Sequence, residues 1–329
     1  MYRRTMAPVA DASARQLTVG EAAYLVTNDP CDGVGLAVAK GCVAEEVFEL
    51  SALRLPSMNS ASPPAIAGRS WAEFQEGLDR QVAPLGRQAM AALAPAPGER
   101  IVDIGCGAGE TSLEFARAVG AGGSVLGIDL SEPLLAIARR RSAGVAGLDF
   151  LQADAQTYPF EPGGFDAAFS RFGVMFFESP IAAFDNIRRA LRPGGRLAFV
   201  CWRKPDENPI MRLPMEAAGP LVPPQPPPEP SAPGPFAFAN PDRVRGVLAN
   251  AGFVAVEIRP HDEKVGSGDL ETALGLALSI GPLGAILREN PDLREPVRPR
   301  VREALAAHDG GAGPQLHAAV WVVTARSPG

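Results

Sequence analysis

The run Asp103-Ile104-Gly105-Cys106-Gly107-Ala108-Gly109 constrains this chain more than any other stretch. Before it, Arg100-Ile101-Val102-Asp103-Ile104 is short and β-branched, as in a parallel strand buried on both faces. After it, residues 109–119 read as a helix. Glycines at alternate positions of a strand-to-helix turn permit dihedrals that side chains oppose and let a ligand approach the backbone. The helix presents its unpaired N–H groups to the same place. Such a turn marks a nucleotide site, but its glycine spacing alone does not say which nucleotide.

The surrounding text alternates strand and helix with little between them, the pattern of crossover units on a parallel sheet. Trp71, Phe74, Leu78 and Val82 recur at helical spacing to about Met90. Strands follow at 124–128, 149–153, 165–170 and 196–202. Between them lie a helix over 132–142, capped by Ser131 with Pro133 in its first turn, and a helix opened by Ser179-Pro180. Pro193-Gly194-Gly195 ends the latter. Asn240-Pro241 starts another helix, strands are expected at 253–258 and 317–325, and a helical segment at 269–309 separates them. The fold expected is α/β: a Rossmann-like, doubly wound, mainly parallel seven-stranded sheet with a helical insertion between its last two strands. The layout is an extension at 1–65, loosely ordered and without recognisable site chemistry; a nucleotide-binding core at 66–205; a proline-rich loop or lid at 206–239; and completion of the sheet at 240–329. Nine of the sixteen positions from Pro220 to Pro235 are proline, which favours a stiff extended loop. The organised pattern begins soon after Met58, which raises the expectation that translation starts there.

Three acidic positions sharpen the nucleotide reading. Asp103 ends the first strand, where a carboxylate can accept from an ammonium group that a dinucleotide lacks. Asp129 ends the second strand, placed to grip a ribose diol. Asp154-Ala155 ends the third, where an acidic side chain can accept from an adenine amino group. Together with Val102 to Gly109, the segments Gly127-Ile128-Asp129-Leu130-Ser131, Ala153-Asp154-Ala155, Phe165-Asp166 and Leu191-Arg192-Pro193-Gly194-Gly195-Arg196-Leu197 stand in a telling order. In them the chain resembles the class I S-adenosylmethionine-dependent methyltransferases, of the ubiquinone/menaquinone-type or small-molecule group. The resemblance covers about residues 80–205. It implies S-adenosylmethionine as cofactor, with Gly105, Cys106, Gly107 and Gly109 along its methionine and ribose end and Asp103 near its amino group. It further implies Asp129 on the ribose diol, Leu130 beside the adenine, Asp154 and Ala155 at the adenine edge, and the main chain of Arg171 at the methionyl portion.

Composition narrows the partners. A net charge of −6 over 329 residues argues against broad attraction to nucleic acid or anionic lipid. No apolar run approaches the roughly 18 residues of a membrane span. Cys31, Cys42, Cys106 and Cys201 form no Cys-x-x-Cys pair, which points to neither a zinc ribbon nor a disulfide framework, and no metal site is expected. With no secretory signal pattern, a cytoplasmic location is expected. Arg139-Arg140-Arg141 reads as a solvated helix end, and Cys106 as a small residue the loop tolerates rather than a nucleophile.

For chemistry, methyl transfer from a sulfonium is an in-line displacement that needs alignment more than a covalent intermediate. No catalytic residue is assigned. His261, His308 and His317 lie outside any triad-like setting, and Arg203, Asp206 and Glu207 after the fifth strand are equally placed acceptor-side candidates. The methyl acceptor is expected to be an organic small molecule, modified at oxygen, carbon or nitrogen. Its site is expected between the helix from Trp71 to Val82, the segment Phe172-Gly173-Val174-Met175-Phe176-Phe177 and the residues after strand five. The alternatives are an NAD-dependent oxidoreductase, against which Glu110 stands where a last glycine belongs, and a non-catalytic cofactor-binding or interaction module.

Overall fold

The computed structural model describes residues 71–224 and 232–329 with their side chains, and the backbone of three strands within residues 14–38. The chain divides into two compact units, Met1–Met58 and Asn59–Gly329. In the first, β1 (Ala14–Val19), β2 (Ala22–Asp29) and β3 (Gly33–Val38) form an antiparallel sheet in that order. The sequence reading assigned no element to this stretch. Met58 itself, and residues 225–231 of the proline run, lie outside the described residues.

The second unit is built on β4 (Arg100–Ile104), β5 (Ser124–Asp129), β6 (Leu148–Gln152), β7 (Phe165–Arg171), β8 (Leu191–Trp202), β9 (Val254–Val265) and β10 (Leu316–Arg326). They make one seven-stranded sheet in the order β6-β5-β4-β7-β8-β10-β9. The pairs β4·β5, β5·β6, β4·β7 and β7·β8 are parallel, and β10 is antiparallel to both β8 and β9. This is the mainly parallel sheet expected. Strand order reverses at β4 and β7, so a crevice opens beyond their carboxyl ends.

Helices α1 (Gln75–Leu93), α2 (Glu110–Val119), α3 (Glu132–Arg141), α4 (Pro180–Ala190) and α6 (Pro241–Asn250) accompany the sheet. The central strands are apolar because both faces are covered: Ile101, Val102, Ala167, Ala168, Phe169 and Ala198 to Cys201 are all buried. Phe184 of α4 meets the rings of Phe177, Phe199, Phe238 and Phe253 at centroid distances of 5.5 to 6.4 Å. Pro84 sits inside α1 without ending it. Burial of Val82, Ala83, Leu85 and Ala89 around it outweighs an intrinsic penalty of about 3 kcal/mol.

Four further helices form a cap with its own core. They are α5 (Pro209–Ala218), α7 (Leu270–Ser279), α8 (Gly281–Glu289) and α9 (Arg294–Ala306). Leu274, Leu278, Leu283, Leu287, Val297, Val301 and Leu305 pack together with Ala218. Helix α5 lies inside the span 206–239 that proline content marks as loop. Pro209 occupies its first turn, where the missing N–H leaves nothing unpaired. Asn208 anchors it: Nδ2 donates to the Ala319 carbonyl at 3.1 Å, and Oδ1 accepts from the Ala319 N–H at 2.9 Å. Strand β9 also runs further than its apolar text suggests, because β10 pairs with it as far as Val265. His261 therefore lies within the strand and not at its end. No helix among the described residues is long and apolar enough to cross a membrane.

Candidate functional site

Strands β4, β5 and β6 end side by side, which brings the three acidic strand ends into one row. The glycine loop leaves β4 with φ of 68° at Gly105, 55° at Gly107 and 78° at Gly109, left-handed values at which side chains are strained. Gly105 and Gly109 are also closed in. A Cβ on Gly105 would come within 2.8 Å of Gly173 Cα, and one on Gly109 within 2.8 Å of Phe150 Cζ and Ala138 Cβ. Gly107 has nothing within 4 Å on that side and lines a cavity.

Asp103 is wholly buried behind the loop. Its Oδ2 accepts from Thr111 Oγ1 and Ser112 Oγ, each at 2.6 Å, which ties the loop to the first turn of α2. Its Oδ1 has no partner. Burial pushes the carboxyl pKa up, against the pull of the two hydroxyls. Asp129 accepts from the Gly107 N–H at 2.9 Å and the Ser131 N–H at 2.8 Å, and burial raises its pKa in spite of them. Leu130 is 50% exposed, and its carbonyl accepts from Gln152 Nε2. Asp154 Oδ1 accepts from the Gln156 N–H, while Asn186 holds the Ala155 and Tyr158 carbonyls. Cys106 is buried, and its thiol pKa is pushed well up by burial and by Asp103 and Asp129, which suits a packing residue and not a nucleophile.

Arg171 carries the connection between loop and helix. Its guanidinium pairs with Glu110 in the first turn of α2 and with Asp79 of α1 at 3.0 Å. Burial opposes its charge, yet Glu110 and Asp79 together hold its pKa above the ordinary value. Asp79 also takes Arg141 of α3 at 2.8 Å, and Arg141 donates to the Ala108 carbonyl at 3.1 Å. Arg141 is therefore a structural cation, not the solvated helix end that its sequence context suggests. Phe172 follows Arg171 with a φ of 63°, a strained conformation for a non-glycine residue.

A cavity open to solvent lies beyond the loop. Trp71, Gln75, Leu78, Asp79 and Val82 of the N-terminal helical segment form one wall, and Phe172, Met175, Phe176 and Trp202 another. The cap contributes Ile210, Met211, Ala273, Leu276 and Leu283, and Pro235 marks the near end of the proline-rich loop. Of the predicted cofactor residues, Gly105, Cys106, Gly107 and Arg171 line this space. Asp103 and Gly109 brace the loop from behind, and Asp129, Leu130, Asp154 and Ala155 continue the row along β5 and β6. Arg203 and Glu207 pair with each other, Arg203 also with Asp262 at 2.9 Å, and neither they nor Asp206 line the cavity. His261 stands 3.0 Å from Glu263 and is likewise absent from it. Sequence reading placed the helix carrying Gln75 and Asp79 at the acceptor site without singling them out, gave Glu110 and Arg141 other roles, and did not find Ser267. Only Glu110, an acid in a helix's first turn, carried a local signal.

Residues 101–195 match a family model described as a methyltransferase domain. Over 135 residues the chain is 36% identical to the demethylmenaquinone methyltransferase of Clavibacter sepedonicus, a match covering 40% of this chain and 54% of that protein. It is 38% identical over 111 residues to the ubiquinone/menaquinone biosynthesis C-methyltransferase UbiE of Pseudomonas putida, covering 33% of this chain and 43% of that protein. The chain thus spans about half the length of these curated relatives. Among solved structures it is similar to Haemonchus contortus phosphoethanolamine N-methyltransferase 2 in complex with S-adenosyl-L-methionine. That likeness has 21% identity and a TM-score of 0.46, covering 74% of this chain and 53% of the other.

Proposed function

We propose that this chain, whose residues 101–195 match a methyltransferase-domain model, is a class I S-adenosylmethionine-dependent methyltransferase that methylates an apolar organic small molecule held in the cavity under the cap. The observation that carries the reading is the glycine loop, whose Gly105 to Ala108 line an apolar chamber, with the strand ends at 129–131 and 153–155 in a row beside it. The residues present fit the cofactor: Gly107 faces open space, Asp103 keeps one unpaired acceptor beside the loop, and Asp129 stands at the end of the next strand. When bound, S-adenosylmethionine supplies an electrophilic methyl group on a sulfonium.

The loop and Asp103 orient the methionyl end. Asp129 would hold the ribose diol through the carboxylate lone pairs that the Gly107 and Ser131 N–H groups leave free. The Asp154-Ala155 turn takes the adenine edge. Trp71, Phe172, Met175 and Trp202 exclude water and align the acceptor, and alignment of this kind can supply roughly 7–11 kcal/mol of barrier reduction. The titratable residues lining the chamber are Asp79, Cys106 and Arg171. Asp79 and Arg171 are held in ion pairs, and the Cys106 thiol is buried. No free general base faces the acceptor among the described residues, so the acceptor brings its own nucleophile, such as a carbanion, phenolate or free amine. The relatives named for menaquinone biosynthesis support a ring of quinone size. Glu110, tied to Arg171, argues against a dinucleotide, whose pyrophosphate would meet that carboxylate.

Isothermal titration with S-adenosylmethionine tests this. Wild type is expected to bind, and Asp129→Ala to bind about tenfold or more weakly through loss of charge-assisted hydrogen bonds. Absence of binding by wild type, or equal binding by the variant, refutes the reading.

A further inference from the structure

The basic run Arg139-Arg140-Arg141 closes α3, and its last member behaves unlike the others. Arg139 and Arg140 are exposed, and Arg139 pairs with Glu132 of its own helix. Arg141 reaches away from the helix. Its Nη1 donates to Asp79 Oδ2 of α1 at 2.8 Å and to the Ala108 carbonyl of the glycine loop at 3.1 Å. One nitrogen thus joins the loop backbone to α1, and among the described residues no other side chain hydrogen-bonds to both. Arg141 does so from outside the chamber, whose lining it does not share. It lines instead an open charged cleft with Glu76, Arg80, Glu110, Glu114 and Arg117, and Asp79 borders both spaces.

The acceptor wall hangs on Asp79. Gln75 lies four residues before it and Val82 three after, so all three share one face of α1, and with Leu78 they line the chamber. The start of α1 in turn carries the cap. A Cβ on Gly77 would come within 2.9 Å of Thr272 Cγ2, and one on Gly275 within 2.7 Å of Phe74 Cε1, so α7 rests directly on this end of α1. Arg171 also holds Asp79, but it ties α1 to β7 and to Glu110 of α2, not to the loop backbone. The connection from the loop therefore runs through the Ala108 carbonyl, Arg141, Asp79, α1 and α7.

We propose that Arg141 is a positioning residue that couples occupancy of the glycine loop to closure of the acceptor wall. A ligand on the loop fixes Gly107 and Ala108, and the Ala108 carbonyl then fixes the guanidinium. Held by that guanidinium, Asp79 sets α1 against the cap. The chamber is completed only when the loop is filled, so the nucleotide binds ahead of the acceptor. The inference rests on the methyltransferase reading for the identity of the loop's ligand. Its size is bounded by the bridge itself, one part-exposed ion pair and one hydrogen bond, which limits the coupling to several-fold.

Hydrogen–deuterium exchange of the full chain, read by mass spectrometry over residues 75–82, tests this with and without saturating S-adenosylhomocysteine. Exchange there reports local opening of the wall. In wild type the ligand should slow it about fivefold, a coupling at the modest end of those known between sites. In Arg141→Met the slowing should fall below about twofold, and Arg141→Lys, which keeps one charged nitrogen, should restore it to about threefold. A merely structural bridge behaves differently: its loss speeds exchange equally with and without ligand and leaves the ratio unchanged. The pair is part-exposed, so the Tm of Arg141→Met should stay close to that of wild type. If that variant does not fold, Asp79→Asn breaks the bridge at its other end and should lower the ratio in the same way. A wild-type ratio below about two, or an unchanged ratio in the variant that breaks the bridge, overturns the proposal. Failure of S-adenosylhomocysteine to bind wild type refutes the methyltransferase reading and takes the coupling with it, whereas binding without protection of residues 75–82 refutes the coupling alone.

Discussion

Replacing Asp79 with asparagine removes one charge and almost no volume from the joint that holds α1 against the nucleotide loop. Asp79 receives Arg171 at 3.0 Å and Arg141 at 2.8 Å, with side-chain exposures of 14% for Asp79, 12% for Arg171 and 28% for Arg141. An exposed ion pair contributes at most about 1 kcal/mol, while breaking a fully buried one costs about 3–5 kcal/mol. The Arg141 pair is wet enough to belong near the lower figure, at about 0.5 kcal/mol after screening. Arg171 is nearly buried but keeps Glu110, so losing Asp79 leaves it half compensated, at about 1.5–2 kcal/mol. Asp79→Asn should therefore cost about 2 kcal/mol, or about 4–8 °C in Tm for a unit of this size. Urea unfolding followed by circular dichroism measures the loss, and a double-mutant cycle with Arg171→Met isolates its larger part. Most of the loss should persist at about 0.5 M NaCl, because a pair this buried is poorly screened. A loss below about 0.5 kcal/mol, or strictly additive effects in the cycle, would refute the reasoning.

Gly109→Ala should destabilise by about 2–3 kcal/mol, since a φ of 78° and contacts of 2.8 Å to Phe150 and Ala138 both oppose a methyl group. Gly107→Ala meets only the dihedral strain and should cost about 1 kcal/mol, so equal losses in thermal melts would contradict the account. Asn208→Ala should cost about 2–3 kcal/mol, because it strips the Ala319 N–H and three carbonyls of a buried partner. Preserved stability in denaturant would show that the cap is anchored elsewhere. Glu99 accepts from Arg196 Nη2 at 2.7 Å and from the Ala96 N–H at 2.8 Å, and the Arg196 hydrogen bond leads in lowering its pKa below the ordinary 4.5. A lowered carboxyl contributes stability that is complete above 4.5 and lost as pH falls through the folded value. The stability gap between wild type and Glu99→Gln should thus be constant near neutrality and close below that pH; a gap widening in acid would reverse the assignment.

The residues of the proposed cofactor half of the site lie in stretches that the sequence itself marks. Asp103, the three glycines, Asp129 and Asp154 all sit within a few residues of a strand end, and parallel strands place their carboxyl ends in one row. Periodicity and turn chemistry therefore sufficed for the seven strands and their order of appearance. They did not suffice for the antiparallel partner of β8, because β10 takes that place only when the whole sheet assembles. Nor did they find helix α5, whose prolines argue for loop until Asn208 and burial against the cap outweigh them.

The acceptor half belongs to tertiary structure. Asp79 meets Arg141 and Arg171 across 62 and 92 residues of chain, and Gln75 and Ser267, far apart in the sequence, line one chamber. Arg171 and the helix from Trp71 to Val82 were marked in the sequence, but nothing local in Asp79, Arg141 or Ser267 says which partner each meets. By itself the sequence determined the strand-to-helix turn and the acids beside it, since local dihedrals and strand ends are short-range properties. Which cations those acids meet, what closes the chamber and which polar atoms face into it were decided only when distant segments packed, because burial is a property of neighbours that the chain supplies from afar.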